Sequence, residues 1–445
     1  MSYVFAAPAV ILCSLTTVSG GGVPAASAPA TRPAPPAATQ PSLPLQTCAD
    51  LMLRSVEHAE GLLPQMAVAA DAVAKRWIAG ADIFVSGDDS FIDEAFYRAG
   101  GLIGLRRIAR FKQNYNGTTM PWDEVPEESV VLYGLHRNAD PTVLLFDELP
   151  HLGGEKDTVV FFGSKDWLVS QRIVKYLQKR LPGKFFFIDT DLPPDTRLRT
   201  AGGVVYGDCA PMATAVHLWT FTAELVAACT RQGKMPGIWP SGAIPKYEVW
   251  EKKYQKIRFH DDFTIGPIGA GTLGRQYLGI LRGQLEAVAN SAEQVKAAAC
   301  LLRSVPPDKA VYVMVESHLL AGEAYLPAEL PNWLVVQRGW RWHRATATLE
   351  SGDGVLWLGY LDWPEREIRR AIQQKNVFAA VSVRGPGQDV AGGASVVWIP
   401  APWVYPDAVV EIPDYPLKAC PTSGIIQGTL LWGLVGEVTA DRMTR

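Results

Sequence analysis

The residue types that proton transfer and oxyanion binding require are gathered in three short runs of this sequence. Ser86-Gly87-Asp88-Asp89-Ser90 is followed by Glu94, Glu316-Ser317-His318 is followed by Glu323, and Pro421-Thr422-Ser423-Gly424 stands near the carboxyl end. A positioned carboxylate or imidazole can take and return a proton as a general base and acid. Glu94, His318 and Glu323 are therefore the catalytic candidates, against the plainer roles of helix-end carboxylate, salt bridge or structural histidine. Hydroxyls and backbone N–H groups at the point where a strand runs into a helix hold oxyanions. Gly87, Asp89, Ser90, Ser317, Thr422 and Ser423 are ligand-binding candidates on that ground, and helix capping is the alternative for the hydroxyl residues. Asp88 and Asp89 lack an assignable third carboxylate, and no cysteine falls in a C-x-x-C or C-x-x-H pattern. Neither a metal nor another cofactor is expected.

Such residues need elements to place them. Met52, Val56, Ala59, Leu63, Met66, Ala70, Val73 and Trp77 fall at helical spacing, with Pro64 expected to kink or split the helix. Asp82-Ile83-Phe84-Val85 reads as a strand that runs through the Gly87 loop into a helix carrying Glu94. The order returns with a helical stretch over 273–302, the strand Ala310-Val311-Tyr312-Val313-Met314-Val315, the Ser317-His318 loop and Glu323-Ala324-Tyr325, which echoes Glu94-Ala95-Phe96. A sharper echo pairs Val159-Val160-Phe161-Phe162-Gly163-Ser164-Lys165-Asp166-Trp167 with Val355-Leu356-Trp357-Leu358-Gly359-Tyr360-Leu361-Asp362-Trp363. Val130-Val131-Leu132-Tyr133 and Leu334-Val335-Val336 are matched as second strands, and Lys184-Phe185-Phe186-Phe187-Ile188 and Phe378-Ala379-Ala380-Val381-Ser382-Val383 as fourth strands. Val204-Val205-Tyr206 and Val409-Val410-Glu411 are matched as fifth strands, ahead of helices in which Trp219 and Glu224 recur as Trp432 and Glu437. This alternation predicts an α/β chain with two doubly wound, five-stranded parallel-sheet domains in tandem, over residues 46–245 and 262–445.

The 445 residues, 48% hydrophobic and 20% charged, suit two such domains, and a net charge of −3 gives no basic field for nucleic acid. Residues 1–45 differ in kind. A short apolar run to Leu15, then Gly, Ala, Ser, Thr and Pro, predicts an export signal and a disordered linker, hence a secreted or periplasmic protein. A misassigned start would instead leave the protein in the cytoplasm. Beyond the leader, no uninterrupted apolar stretch reaches the roughly 18–20 residues that cross a bilayer.

Phe96-Tyr97-Arg98-Ala99-Gly100-Gly101-Leu102, Ser317-His318-Leu319-Leu320-Ala321-Gly322-Glu323 and Pro421-Thr422-Ser423-Gly424 together resemble the SIS (sugar isomerase) phosphosugar-binding domain family, in two divergent copies. The likeness covers most of residues 46–445. It implies a sugar or phosphosugar ligand held by loops at the carboxyl ends of parallel strands, without a cofactor. It also implies two copies that face each other as a built-in pseudo-dimer, and leaves a homodimer through the SIS domains open. Catalytic members isomerise aldoses and ketoses with a Glu or His. Arg98 is then a partner for a phosphate or a neighbouring chain, with a surface ion pair as the alternative.

The family's Ser-rich loop after the third strand is represented by Gly163-Ser164-Lys165-Asp166-Trp167 and Gly359-Tyr360-Leu361-Asp362-Trp363. Ser164 is the ligand-binding candidate there, although Asp166 beside a phosphate is repulsive unless a cation such as Lys165 intervenes. Trp167 and Trp363 are core anchors, or rings that stack on a sugar beside Asp166 and Asp362. Two functions stay open. One is binding of a sugar or sugar-phosphate derivative, with phosphosugar isomerase activity as an extension. The other is a non-catalytic scaffold or interaction protein with degenerate SIS sites.

Overall fold

The computed structural model describes residues 43–96, 98–109, 119–121, 124–135, 154–242, 244–315, 331, 333–336, 349–360, 363–385, 395–403 and 407–442. The helical run at the start is split as its proline requires, into α1 (Leu43–Gly61) and α2 (Leu63–Ile78). Pro64 lies in the first turn of α2, where a missing N–H breaks no helical bond. Next come β1 (Ile83–Gly87), α3 (Asp89–Ala95), β2 (Leu105–Ala109), β3 (Thr119–Pro121), β4 (Val130–Gly134), β5 (Thr158–Gly163), α4 (Leu168–Arg180) and β6 (Phe185–Asp189). These strands form one parallel sheet in the order β3-β2-β1-β4-β5-β6. A hairpin of β7 (Arg197–Arg199) and β8 (Val205–Asp208) leads into the long helix α5 (Ala210–Arg231).

A connecting segment with β9 (Met235–Pro236), α6 (Tyr247–Tyr254) and β10 (Phe259–His260) precedes the second half. That half begins with α7 (Thr272–Ala289), α8 (Ala292–Arg303), β11 (Val311–Val315), β12 (Leu334–Val336) and β13 (Gly354–Leu358). It continues with α9 (Glu365–Gln373), β14 (Val377–Ser382) and β15 (Val396–Pro400). Its parallel sheet has the order β12-β11-β13-β14-β15. A hairpin of β16 (Ala408–Val410) and β17 (Ala419–Pro421) then leads into α10 (Ser423–Arg442). With the extra edge strand β3 set aside, both sheets share the 2-1-3-4-5 order of a flavodoxin-like doubly wound sheet. The fold is the tandem SIS-like α/β arrangement.

Several strand equivalences read from the sequence are displaced by one position. By sheet order β5 corresponds to β14 and β4 to β13, so the shared G-x-x-D-W pattern joins strands at different places. Central strands buried on both faces all read as apolar runs, and composition does not tell one from its neighbour. The Ser164 loop accordingly follows the fourth strand of its sheet, whereas the Tyr360 loop follows the third of its own. The expected fifth strands lie outside the parallel sheets, in the two hairpins. β2 was not expected because Arg106 and Arg107 interrupt its apolar character.

Helix packing unites the two halves. The opening helix of each half lies on the closing helix of the other: α1 on α10, and α7 on α5, with α1 and α7 also in contact. The approach is close enough that a Cβ at Gly433 or Gly436 would stand 2.6 Å from α1, at Leu45 or Pro44. Every residue of α5 from Ala210 to Thr230 is buried. Among the described residues it is the one helix long and apolar enough to cross a membrane, and here it forms the centre of a single core running from Leu45 to Val438. A smaller cluster around Trp357, Ile368 and Phe378 packs α9 against the second sheet.

The exchanged helix α7 starts in the core, so its first N–H groups need a partner. Glu224 of α5, fully buried, supplies it: Oε2 accepts from Gly271 N at 2.7 Å and Oε1 from Gly274 N at 2.9 Å. Replacing Glu224 by Ala should lower the unfolding free energy by about 2–4 kcal/mol, read from urea denaturation, with Gln restoring part of it. A loss within experimental error would show that this cap is dispensable.

Candidate functional site

The Arg98-Ala99-Gly100-Gly101 turn brings the two halves together. Gly100 N donates to the Trp239 carbonyl at 2.8 Å, and the Gly100 carbonyl accepts from Cys420 N of the second hairpin at 2.9 Å. Gly100 has φ +81°, and a Cβ there would meet that of Ala408 at 2.7 Å, so glycine is required on both counts. This strap delivers Arg98 into the interior with 2% exposure. Its Nη2 lies 3.4 Å from Glu94 Oε1 and 3.6 Å from Asp407 Oδ2, and donates to Ser423 Oγ at 3.3 Å. Trp219 Nε1 donates to Glu94 Oε1 at 2.7 Å, and Ser423 Oγ donates to Asp407 Oδ2 at 2.6 Å. Arg98 is thus a buried, doubly paired cation and not part of a surface ion pair.

Three of the residues singled out in the sequence, Glu94, Thr422 and Ser423, therefore meet, across 325 residues of chain at the Arg98–Ser423 bond. Their arrangement is closed on itself. The Asp407 carboxylate accepts from Thr422 N at 3.2 Å and Ser423 N at 2.9 Å, so it sits on the amino end of α10. The amino end of α5 is treated alike, with Ala210 N donating to Asp208 Oδ1 at 2.9 Å. Helix amino ends attract anions. At both places the anion is a carboxylate of the chain itself.

Desolvation pushes the Glu94 carboxyl above its ordinary range, against the opposing pull of Arg98 and the Trp219 hydrogen bond. Burial alone would push Arg98 down, and the Glu94 and Asp407 carboxylates turn it upward. Burial and the nearby Asp407 likewise raise the Tyr360 phenol, whose oxygen accepts from Asp407 N at 3.2 Å. The cluster can hold charge and a proton, but Glu94 is 3% exposed and Thr422 and Ser423 are 0% exposed, which leaves no approach for a substrate carbon to Glu94.

The remaining candidates are dispersed. Gly87 ends β1 with φ +112°, so tight against Gly134 that a Cβ would strike the Gly134 carbonyl. Ser90 is buried in α3, and Asp89 is exposed on it. Ser164 is buried, donates to the Leu192 carbonyl and accepts from Asp166 N, so its hydroxyl is used within the turn. Trp167 is fully buried and donates to the Pro193 carbonyl, which makes it a core anchor. Ser317, His318, Glu323 and Asp362 lie outside the described residues. His58, Asp189 and Asp191 offer ligand atoms within 4.8 Å of one another, and Lys165 Nζ lies 3.1 Å from Asp189 and 3.2 Å from Asp191. Beneath them His217 is fully buried, its Nδ1 donating to the Ala213 carbonyl at 2.8 Å and its ring 5.6 Å from that of His58. Sequence reasoning missed Asp407, because nothing local marks a carboxylate whose partners stand 15 and 16 residues along the chain and in the other half.

No protein-family model and no curated protein matches this sequence. Solved structures do match the fold. A protein described as sugar binding from Salmonella typhimurium LT2 aligns with TM-score 0.50 and 8% identity, over 89% of this chain and 99% of its own. The tagatose-6-phosphate ketose/aldose isomerase of Escherichia coli aligns with TM-score 0.47 and 9% identity, over 90% of this chain and 93% of its own. The C-terminal domain of glucosamine-fructose-6-phosphate aminotransferase from Francisella tularensis aligns with TM-score 0.43 and 9% identity, over 87% and 95%. At such identities the first match shows a common fold across nearly its whole chain.

Removing the central cation by Arg98→Met should destabilise the protein by about 3–5 kcal/mol, because two carboxylates are then left facing each other in the core. The raised Glu94 carboxyl favours folding when protonated, so its contribution is complete below the ordinary carboxylate range and is lost as pH rises through the folded value. Glu94→Gln should therefore gain on the parent as pH rises above the ordinary carboxylate range in urea titrations, and a flat difference would contradict the assignment. His217 behaves oppositely, since burial lowers it from the usual 6.5 to about 4. Its contribution is present above 6.5 and lost on acidification toward about 4, roughly 3 kcal/mol that His217→Gln should abolish from the acid limb.

Proposed function

We propose that this chain binds a sugar or sugar-phosphate derivative through its tandem SIS-like fold and does not isomerise it through Glu94. The ligand class rests on the fold shared with a protein described as sugar binding, and the observation against isomerisation is a Glu94 that is 3% exposed and already paired to Arg98. An isomerase base must reach a carbon next to a carbonyl. Glu94 instead accepts from Trp219 and stays sealed in the contact between the halves. The sugar-binding description of the Salmonella typhimurium LT2 protein, whose fold this chain shares, supports the ligand class. Ser317, His318 and Glu323 remain the proposed ligand contacts of the second copy. Residues 46–245 and 262–445 are proposed as the two copies, and residues 1–45 as a leader and linker that send the protein out of the cytoplasm.

The non-catalytic scaffold is the second reading, favoured by the internal carboxylates at the starts of both α5 and α10. A thermal-shift screen of the full chain against sugars and sugar phosphates separates the two. A ligand at about 100 times its Kd stabilises by roughly 2.7 kcal/mol, a visible rise in Tm. The expected result is stabilisation by a sugar phosphate that persists in Glu94→Gln and is lost in His318→Ala. Interconversion of an aldose and a ketose phosphate that stops in Glu94→Gln would overturn the reading. No response to any sugar would make the scaffold the function.

A further inference from the structure

A cleft of about 310 Å³ lies beside the first sheet, lined in part by Phe96 and by the Leu102-Ile103-Gly104-Leu105 segment that leads into β2. Asp82, which precedes β1, and Arg106, at the start of β2, place it at the amino ends of the strands. Its size falls within the range of small-molecule pockets, about 300–1,000 Å³. Phe96 and Trp239 are its aromatic lining residues. Trp239 is set in place through its backbone, whose N–H donates to the Gly101 carbonyl and whose carbonyl accepts from Gly100 N, each at 2.8 Å.

The charge in this cleft is unbalanced. Arg106, Lys256 and Arg258 line it against a single carboxylate, that of Asp82, in a chain whose net charge is −3. Arg258 is consumed by the fold: it pairs with Asp82 and donates to the carbonyls of Gly80 and Ala81 at 3.0 and 3.1 Å. Arg106 shares the same Asp82 at 3.3 Å. Lys256 is exposed and makes no ion pair among the described residues. Positive charge beyond what Asp82 neutralises therefore faces a hollow that Trp239 also lines.

We propose that this cleft is a binding site for a small organic oxyanion with a ring face, its anionic group held by Arg106 and Lys256 and its ring laid on Trp239. A guanidinium matches the paired oxygens of a phosphate or carboxylate, and an indole stacks on the C–H face of a ring. The inference uses none of the residues of the sugar-ligand reading above and stands apart from it.

Calorimetric titration of the full chain tests it, with fructose 6-phosphate and glucuronate as anionic rings and with fructose and inorganic phosphate as controls. The expected result is binding of an anionic ring that weakens with added salt, weakens about tenfold or more in Lys256→Ala, and is also weakened in Trp239→Leu. Lys256 lies outside every ion pair of the described residues, so its variant should keep the parental circular dichroism and Tm. Binding unchanged in Lys256→Ala and Arg106→Gln, or no binding of either anionic ring, overturns the proposal. Inorganic phosphate binding as tightly as fructose 6-phosphate also overturns it, because the ring contact would then contribute nothing. Fructose 6-phosphate binding that ignores Lys256→Ala but fails in His318→Ala sinks the cleft and leaves the sugar-ligand reading intact. Glucuronate binding lost in Lys256→Ala, with no response to any phosphorylated or neutral sugar, keeps the cleft and sinks that reading.

Discussion

A guanidinium taken out of water costs several kcal/mol unless carboxylates and hydrogen-bond acceptors surround it. Arg98 is 2% exposed, and its compensation comes from two places at once: Glu94 one turn away, and Asp407 and Ser423 from the far end of the chain. Neither half can satisfy this cation alone. The strap at Gly100 and the hairpin of β16 and β17 hold the three partners in register. The reciprocal placement of α1 on α10 and α7 on α5 surrounds them with core. Two sheets that would each make an ordinary doubly wound domain are in this way bound into one unit, residues 41–445.

The same physics that lets such folds hold phosphate is turned inward here. The orphan N–H groups at a helix start attract any anion. In this chain they are met by Asp208 at α5, Asp407 at α10 and Glu224 at α7. A carboxylate tethered to the chain does not dissociate and loses little further entropy on folding, so it competes well with a free ligand for such donors. The consequence is rigidity at the starts of the central helices. Open, unbalanced charge lies instead at the amino ends of the first sheet, where Arg106 and Lys256 line a cleft with Trp239.

Much of the architecture was legible in the sequence because it depends on local periodicity. Helical spacing from Met52 to Trp77, the break at Pro64, the apolar strands at Ile83-Phe84-Val85 and Val159-Val160-Phe161-Phe162, and the alternation of strands with helices all appear in the structure. Glu94, Thr422 and Ser423 stand out in the sequence by residue type and position, and Arg98 by the run that resembles the family. Their roles do not: a hydroxyl or a carboxylate at a helix start reads alike whether it awaits a ligand or a neighbouring segment.

What only the tertiary structure decided concerns neighbours. Any strand covered on both faces is apolar, so the sequence alone could not place β5 one position beyond β4, nor move its apparent fifth strands out into hairpins. Asp407 carries no local signal, and its place on α10 beside Arg98 exists only once the halves are packed. The surplus of charge around Asp82 likewise arises from β1, β2 and the segment after α6 brought to one rim. Sequence by itself determined the main helices and the apolar strands, because hydrophobic period acts over a few residues. Pairing, burial and the balance of charge needed the fold, because they depend on which distant residues share one volume without water.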